Sequence, residues 1–365
     1  ALTEAHAGSD LGMLRTRAEP DDDGSYRVTG TKTFITWAGQ DITDNIVNLV
    51  LAKLPDAPAG PKGISLFLVP KYIPDADGNP GEANALSVAK LEDKMGLKSS
   101  PTCVFNLDGA RGWLVGEPHK GLAAMFTMMN AARLDVGFEG LGISQLAFQG
   151  ATEYANDRIQ MRAPDGAKYP DQAADPLVVH PDVRRMLLTQ KSLVEGNRAL
   201  GYFVATQLDI ALSDETGDAR QEADDLVALF TPICKSFFTE RASEITDLGI
   251  QVFGGHGYIH EHGMEQLYRD VRITRIYEGT NGIQAIDLLR RKTLASERRL
   301  LDVLLKRIRA FCDAHENDAR AGDLVQRVRA VAEDWSELTD ELIRRAGEDI
   351  NQPMGAAFEY LEYAG

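Results

Sequence analysis

The hydrophobic period changes once, near residue 118, and that change constrains the fold more than any other feature of the chain. Before it, apolar residues alternate. Val47, Leu49 and Leu51 form one such run, Ile64, Leu66 and Leu68 another, and Val104 to Leu107 a third. Asp-Gly pairs at 23–24, 77–78 and 108–109 punctuate these runs as turn signals, and residues 54–61 and 73–81 read as loops. After the change, Leu122, Met125, Met129, Ala132 and Val136 follow helical spacing. Further helical runs are expected over residues 183–212, 223–252, 264–277, 283–291 and 300–342, with Gly254-Gly255 as a stop. The pattern predicts an α+β multidomain chain. A small all-β barrel or sandwich (1–118) precedes an all-α helix bundle (119–293), followed by an additional helical segment (294–365) expected to be truncated.

Composition removes several function classes. A net charge of −16 is the wrong sign for a phosphate-binding surface, so no nucleic-acid partner is expected. The most apolar stretch, residues 121–132, is too short to span a bilayer. Three widely spaced cysteines, Cys103, Cys234 and Cys312, form neither a disulfide framework nor a zinc pattern, which suits a reducing, cytoplasmic setting. His256, His260, Glu261 and His262 resemble a metal set, but Gly257 and Gly263 break the register that would align them on one helix face, and no metal is expected.

The most informative stretch is Ile276-Tyr277-Glu278-Gly279-Thr280-Asn281-Gly282-Ile283-Gln284. It turns sharply between two helical runs, and Thr280 or Asn281 can cap the second. A carboxylate at Glu278 can be held rigidly there as a base. It can equally serve only to favour the helix N-terminus.

Four other stretches accompany it in order: Ala1-Leu2-Thr3-Glu4-Ala5-His6-Ala7-Gly8-Ser9-Asp10, Lys32-Thr33-Phe34-Ile35-Thr36, Tyr154 through Arg158, and Gln251-Val252-Phe253-Gly254-Gly255-His256-Gly257-Tyr258. Together the five resemble the flavin-dependent acyl-CoA dehydrogenase family over residues 1–293. The resemblance implies FAD as cofactor, an acyl-CoA thioester as substrate, and α,β-dehydrogenation with electrons passed to an electron-transfer flavoprotein. Glu278 would be the base, and its N–H would polarise the thioester oxygen. Thr3, Gly8, Ser9, Phe34, Ile35 and Thr36 match flavin-binding positions of the β domain. Phe34 is also compatible with an ordinary strand residue facing the core. Arg158 matches an arginine that reaches the flavin diphosphate of a neighbouring subunit, with Gln251, Gly254, Gly255, Thr280 and Asn281 completing that site. The resemblance therefore implies a homo-oligomer of at least two chains. Ser9, Asn130, Arg133 and Gly279 match substrate-facing positions.

Some relatives carry the base on the earlier helix, where this chain has Ala132, so Glu278 is the carboxylate that fits. The run Arg158-Ile159-Gln160-Met161-Arg162 departs from the usual Phe-Gly continuation. With residues 180–186 and the chain beyond 293, it resembles the longer branch that includes methylmercaptopropionyl-CoA dehydrogenase. That resemblance implies a preceding helical domain and a native N-terminus, both expected to be missing here. Two alternatives stay open: an acyl-CoA oxidase, in which oxygen reoxidises the flavin, and a non-catalytic flavoprotein of the same fold.

Overall fold

The computed structural model of the chain describes residues 1–213 and 216–365. These form two compact units, Ala1–Ala131 and Ala132–Gly365.

The first unit holds, among the described residues, strands β1 (Arg17–Pro20), β2 (Tyr26–Thr36), β3 (Val47–Lys53), β4 (Ile64–Pro70), β5 (Tyr72–Pro74), β6 (Pro80–Ala83), β7 (Leu86–Leu91) and β8 (Thr102–Val115). The sheet order is β2-β1-β3-β4-β8-β7, and an extra pairing of β2 with β8 closes a ring. The ring is a barrel, so its strands escape the open-edge problem. Inward-facing Val28, Val50, Phe67, Val69, Phe105 and Ala110 are fully buried within it. The expected β domain is thus a barrel rather than a sandwich.

Two local expectations change. Asp108-Gly109 is not a turn but lies inside β8. There Asp108 opposes Thr29 and Ala110 opposes Val28, which leaves Gly109 as an extra residue with φ of 75°. A bulge needs the same left-handed glycine that a hairpin turn needs, so the dipeptide cannot tell them apart. The loop expected at 73–81 lies within the β5–β6 hairpin, tightened where the Asp75 carboxylate accepts from the N–H groups of Asp77 and Asn79.

A buried ion pair ties the first stretch of sequence to the second. Lys32 Nζ lies 3.0 Å from Glu4 Oε1 and donates to the Leu2 carbonyl, and both side chains are almost completely buried. Glu4 also accepts from the Arg15 and Thr16 N–H groups and the Thr16 hydroxyl. Burial pushes the Glu4 carboxyl up, but these hydrogen bonds and the Lys32 charge outweigh it and bring it to about 2.

Helix α1 (Gly121–Asp157) begins in the first unit and continues in the second. There it is followed by α2 (Pro181–Leu212), α3 (Asp218–Phe253), α4 (Met264–Val271) and α5 (Asn281–Ile286). Gly137 and Gly140 bring α1 against the backbone of α3. A Cβ on Gly137 would lie 3.1 Å from the Cys234 carbonyl oxygen, and one on Gly140 3.3 Å from the Thr239 methyl. The run expected over 264–277 ends early, because α4 tightens into a 3-10 turn at Arg272–Arg275 and releases the next residues from helix. Helix α5 passes into a π-helical stretch, Asp287–Leu294.

The segment after 293 is one long expected run that the structure divides into α6 (Arg299–His315) and α7 (Gly322–Glu348). The break falls where the Asp318 carboxylate captures the N–H groups of Arg320 and Ala321. Two short helices close the chain, α8 (Asn351–Gly355) and α9 (Ala357–Ala364). This segment does not stand apart. Trp335, Tyr360 and Leu361 share one hydrophobic core with Phe238 of α3 and with Ala285 and Leu288.

Candidate functional site

Residues 276–280 leave the 3-10 turn and enter α5 through two consecutive left-handed residues, Glu278 at φ 53° and Gly279 at φ 87°. Glycine accepts that geometry freely. Glutamate does so at a cost on the order of 1–2 kcal/mol, which the surrounding fold must offset. Thr280 caps α5 by accepting from the Ile283 N–H at 3.3 Å. Gln284, fully buried on the first turn of α5, reaches back to donate to the carbonyls of Glu278 and Gly279, each at 3.3 Å. Helix cap and glutamine together hold the kink. The Glu278 side chain is half-buried.

Two side-chain hydrogen bonds anchor this loop to the helices beneath it, and a buried arginine borders it. The Tyr277 hydroxyl donates to the Glu139 carboxylate on α1. Burial raises the Glu139 carboxyl above the usual range against the pull of that hydrogen bond. Burial and the neighbouring Glu139 likewise raise the Tyr277 phenol. Arg133, on the same helix, is buried and pairs with Asp287 at 3.5 Å. Its guanidinium borders the kink, since a Cβ on Gly279 would lie 3.8 Å from Nη2. On α3, fully buried Lys235 donates to Asn281 Oδ1 at 2.9 Å. Asn281 Nδ2 donates in turn to Glu240 and Thr239, and Glu240 pairs with Arg275 at 2.6 Å.

The expected site residues fall into separate groups. In the barrel unit, Phe34 sits on a register shift between Lys32 and Ile35, at φ 60°, and its ring is 65% exposed. An outward bulge therefore takes the place of the core-facing strand position that alternation allows. Ile35 is half-buried and Thr36 is exposed. Thr3 is half-buried, with its carbonyl accepting from the Thr33 N–H, while Gly8 and Ser9 are exposed. Asn130 is exposed on α1.

In the helical unit the structure joins two of the sequence stretches. Tyr154 stacks on Phe253 with centroids 4.2 Å apart, and its hydroxyl meets His256 Nδ1 at 2.7 Å. Arg158, Gln251, Gly254 and Gly255 are exposed around this pair. His256 stacks on His262, so the histidine-rich loop is packed as aromatic surface. Two of the expected residues lie inside the protein. Asn281, expected to face the flavin, is only 4% exposed, and its amide is taken up inside the protein by Lys235, Thr239 and Glu240. Arg133, expected to face the substrate, is 4% exposed and tied to Asp287.

Several residues of the site were not legible from motifs. Glu139 reads in sequence as a solvated or paired helix residue, and its partner proves to be the tyrosine beside Glu278. Lys235 lies within the apolar run Leu229 to Phe238, where a lone lysine is itself a signal of a buried polar role. Trp37, also at positive φ and 43% exposed, stands three residues beyond Phe34.

The family model for the acyl-CoA dehydrogenase middle domain matches residues 1–110, and that for the acyl-CoA dehydrogenase C-terminal domain matches residues 119–293. The chain is 44% identical to the 3-methylmercaptopropionyl-CoA dehydrogenase of Ruegeria pomeroyi, over 100% of this chain and 61% of that protein. It is 39% identical to a broad-specificity linear acyl-CoA dehydrogenase of Mycobacterium tuberculosis, over 87% of this chain and 53% of that protein. Thus it spans little more than half the length of these relatives. Among solved structures, Caenorhabditis elegans ACDH-11 in complex with C11-CoA superposes with a TM-score of 0.83 at 24% identity, covering 99% of this chain and 57% of that one. The FAD complex of a Bacillus anthracis acyl-CoA dehydrogenase gives 0.78 at 24% identity, covering 100% and 59%. At that identity the likeness is one of fold.

Proposed function

This chain belongs to the acyl-CoA dehydrogenase family, and from that premise we propose that it carries out the α,β-dehydrogenation of an acyl-CoA thioester with Glu278 as base. The observation that carries the reading is the left-handed backbone at Glu278. A non-glycine residue is held there by a helix cap, a glutamine and the hydrogen bonds of the neighbouring Tyr277 and Asn281, so backbone strain is maintained at a carboxylate that the fold secures from both sides.

The barrel residues suit a flavin. An exposed aromatic ring on a bulge at Phe34, next to exposed Thr36, offers a flat apolar surface beside a hydroxyl. Thr3, Gly8 and Ser9 would add polar contacts in the same unit. Arg158 with Gln251, Gly254 and Gly255 would hold the diphosphate and adenosine half of a flavin bound by a neighbouring subunit, which makes the working form a homo-oligomer. Bound FAD would supply the oxidant that accepts a hydride from the β carbon. The work of this chain is to place Glu278 Oε beside the α proton, take that proton, and offer the Glu278 N–H to the thioester oxygen. On this reading residues 1–118 serve the flavin and 119–293 the base. Electrons would leave to an electron-transfer flavoprotein, and the setting would be cytoplasmic. Among the described residues no helix is long and apolar enough to cross a membrane.

The test is an anaerobic titration of the flavin-loaded protein with a panel of acyl-CoAs that includes 3-methylmercaptopropionyl-CoA, following flavin absorbance. Bleaching by one thioester class is expected. Full retention of the oxidised spectrum with every thioester sinks the reading. Fast oxygen consumption during turnover would point to an oxidase instead.

A further inference from the structure

The Glu278 loop rests on a residue that lies outside the five sequence stretches named above. Lys235 lies on α3, where Gly137 and Gly140 let α1 approach its backbone, and it is fully buried. Its ammonium donates to Asn281 Oδ1, and Asn281 is the first residue of α5, three positions after Glu278. Through Asn281 the same network reaches Thr239, Glu240 and Arg275. A lysine is removed from water only when the interior has a use for its charge or its donors, because desolvating an ammonium costs several kcal/mol. An apolar residue of the same length would fill the space on α3 more cheaply. The lysine is therefore an expense that packing does not explain.

We propose that Lys235 is a positioning residue for the Glu278 base. By holding Asn281 it fixes the start of α5, and so the left-handed turn that presents Glu278. This rests on the reading of Glu278 as the base. The charged groups that act on Lys235 are Arg133 from α1, Glu278 from the loop and Glu240 from its own helix. Burial and then Arg133 push the ammonium down to about 7, against the pull of Glu278 and Glu240. The charge of the group that holds Asn281 can thus change near neutral pH.

Two variants separate the roles of shape and charge. Lys235→Met fills the same volume without donor or charge, and Lys235→Gln keeps a donor toward Asn281 while removing the cation. In the flavin-loaded protein, both are expected to reduce the rate of flavin reduction by acyl-CoA at least about tenfold. Flavin content and the half-saturating thioester concentration should stay near wild type, and the rate should lose any inflection near neutral pH. Amide hydrogen exchange should quicken over residues 277–283 in the Met variant, while α2 and the barrel keep their protection. That readout needs no turnover. Should Lys235→Met fail to fold, the Gln variant decides the matter. Wild-type rates and an unaltered pH profile in the folded variants, with unchanged exchange in the loop, would reduce Lys235 to a core residue and overturn the proposal. If Glu278→Gln itself leaves flavin reduction intact, the base assignment has failed, and the exchange data alone then judge whether Lys235 positions the loop.

Discussion

The phenol of Tyr277 and the carboxylate of Glu139 are hydrogen-bonded across 138 residues of sequence, and this contact pins the residue next to Glu278 to helix α1. Both groups are half-buried, so their hydrogen bond replaces part of the water each would otherwise bind. Removing one partner leaves the other desolvated. Tyr277→Phe should cost about 1–3 kcal/mol in chemical denaturation and should also slow substrate-dependent flavin reduction. Glu139→Gln keeps an acceptor and should cost less than Glu139→Leu. Equal losses from Gln and Leu would show that the hydrogen bond does not set the loop.

Glu278→Gln keeps the shape of the side chain but cannot take a proton. It should retain FAD and lose reduction by acyl-CoA by several orders of magnitude, read as the rate of flavin bleaching under anaerobic mixing. Bleaching at the wild-type rate would remove Glu278 from the chemistry.

Gly279→Ala meets two obstacles at once. The backbone stands at φ 87°, and the new Cβ would sit 2.7 Å from Gln284 Nε2. The strain alone is on the order of 1–2 kcal/mol. Displacing Gln284 also breaks its hold on the carbonyls of Glu278 and Gly279. The expected outcome is a lower melting temperature together with a lower maximal rate. A variant that is less stable but fully active would separate the kink from function.

The pair formed by Glu4 and Lys32 predicts an acid limit for the barrel. The folded carboxyl of Glu4 lies at about 2, below its ordinary value of 4.5. Its stabilisation is therefore complete above the unfolded value and is lost as pH falls toward about 2. The shift corresponds to about 3 kcal/mol. Glu4→Gln should flatten stability against pH across this acid window, measured by denaturant titration at a series of pH values. An unchanged slope would mean that Glu4 is not the group responsible. Because Lys32 is fully buried, its unpaired charge should also make the variant less stable at neutral pH.

Leu361 near the C-terminus is fully buried in the core shared with α3 and α5. Leu361→Ala should destabilise the helical unit by about 2–5 kcal/mol. Because α9 packs against the helix that follows Glu278, the variant should also show faster hydrogen exchange in α5. Loss confined to residues 294–365 would instead mark that segment as an independent appendage.

The sequence by itself determined the order of a β unit and a helical unit, the capped turn at Thr280, and the placing of a carboxylate at that turn. Each of these depends on hydrogen bonds and side-chain periods that close within a few residues, so they leave a local trace. Which side chains surround that turn is visible only in the tertiary structure. Glu139, Lys235 and Arg133 act through partners on other elements, and a charged residue reads the same in sequence whether water or a buried asparagine receives its hydrogen bond. The Asp108-Gly109 pair shows the same limit, because a turn and a bulge ask for the same left-handed glycine. The segment after residue 293 joined the main core for a related reason. An amphipathic helix states which of its faces is apolar, but not which other helix will cover it.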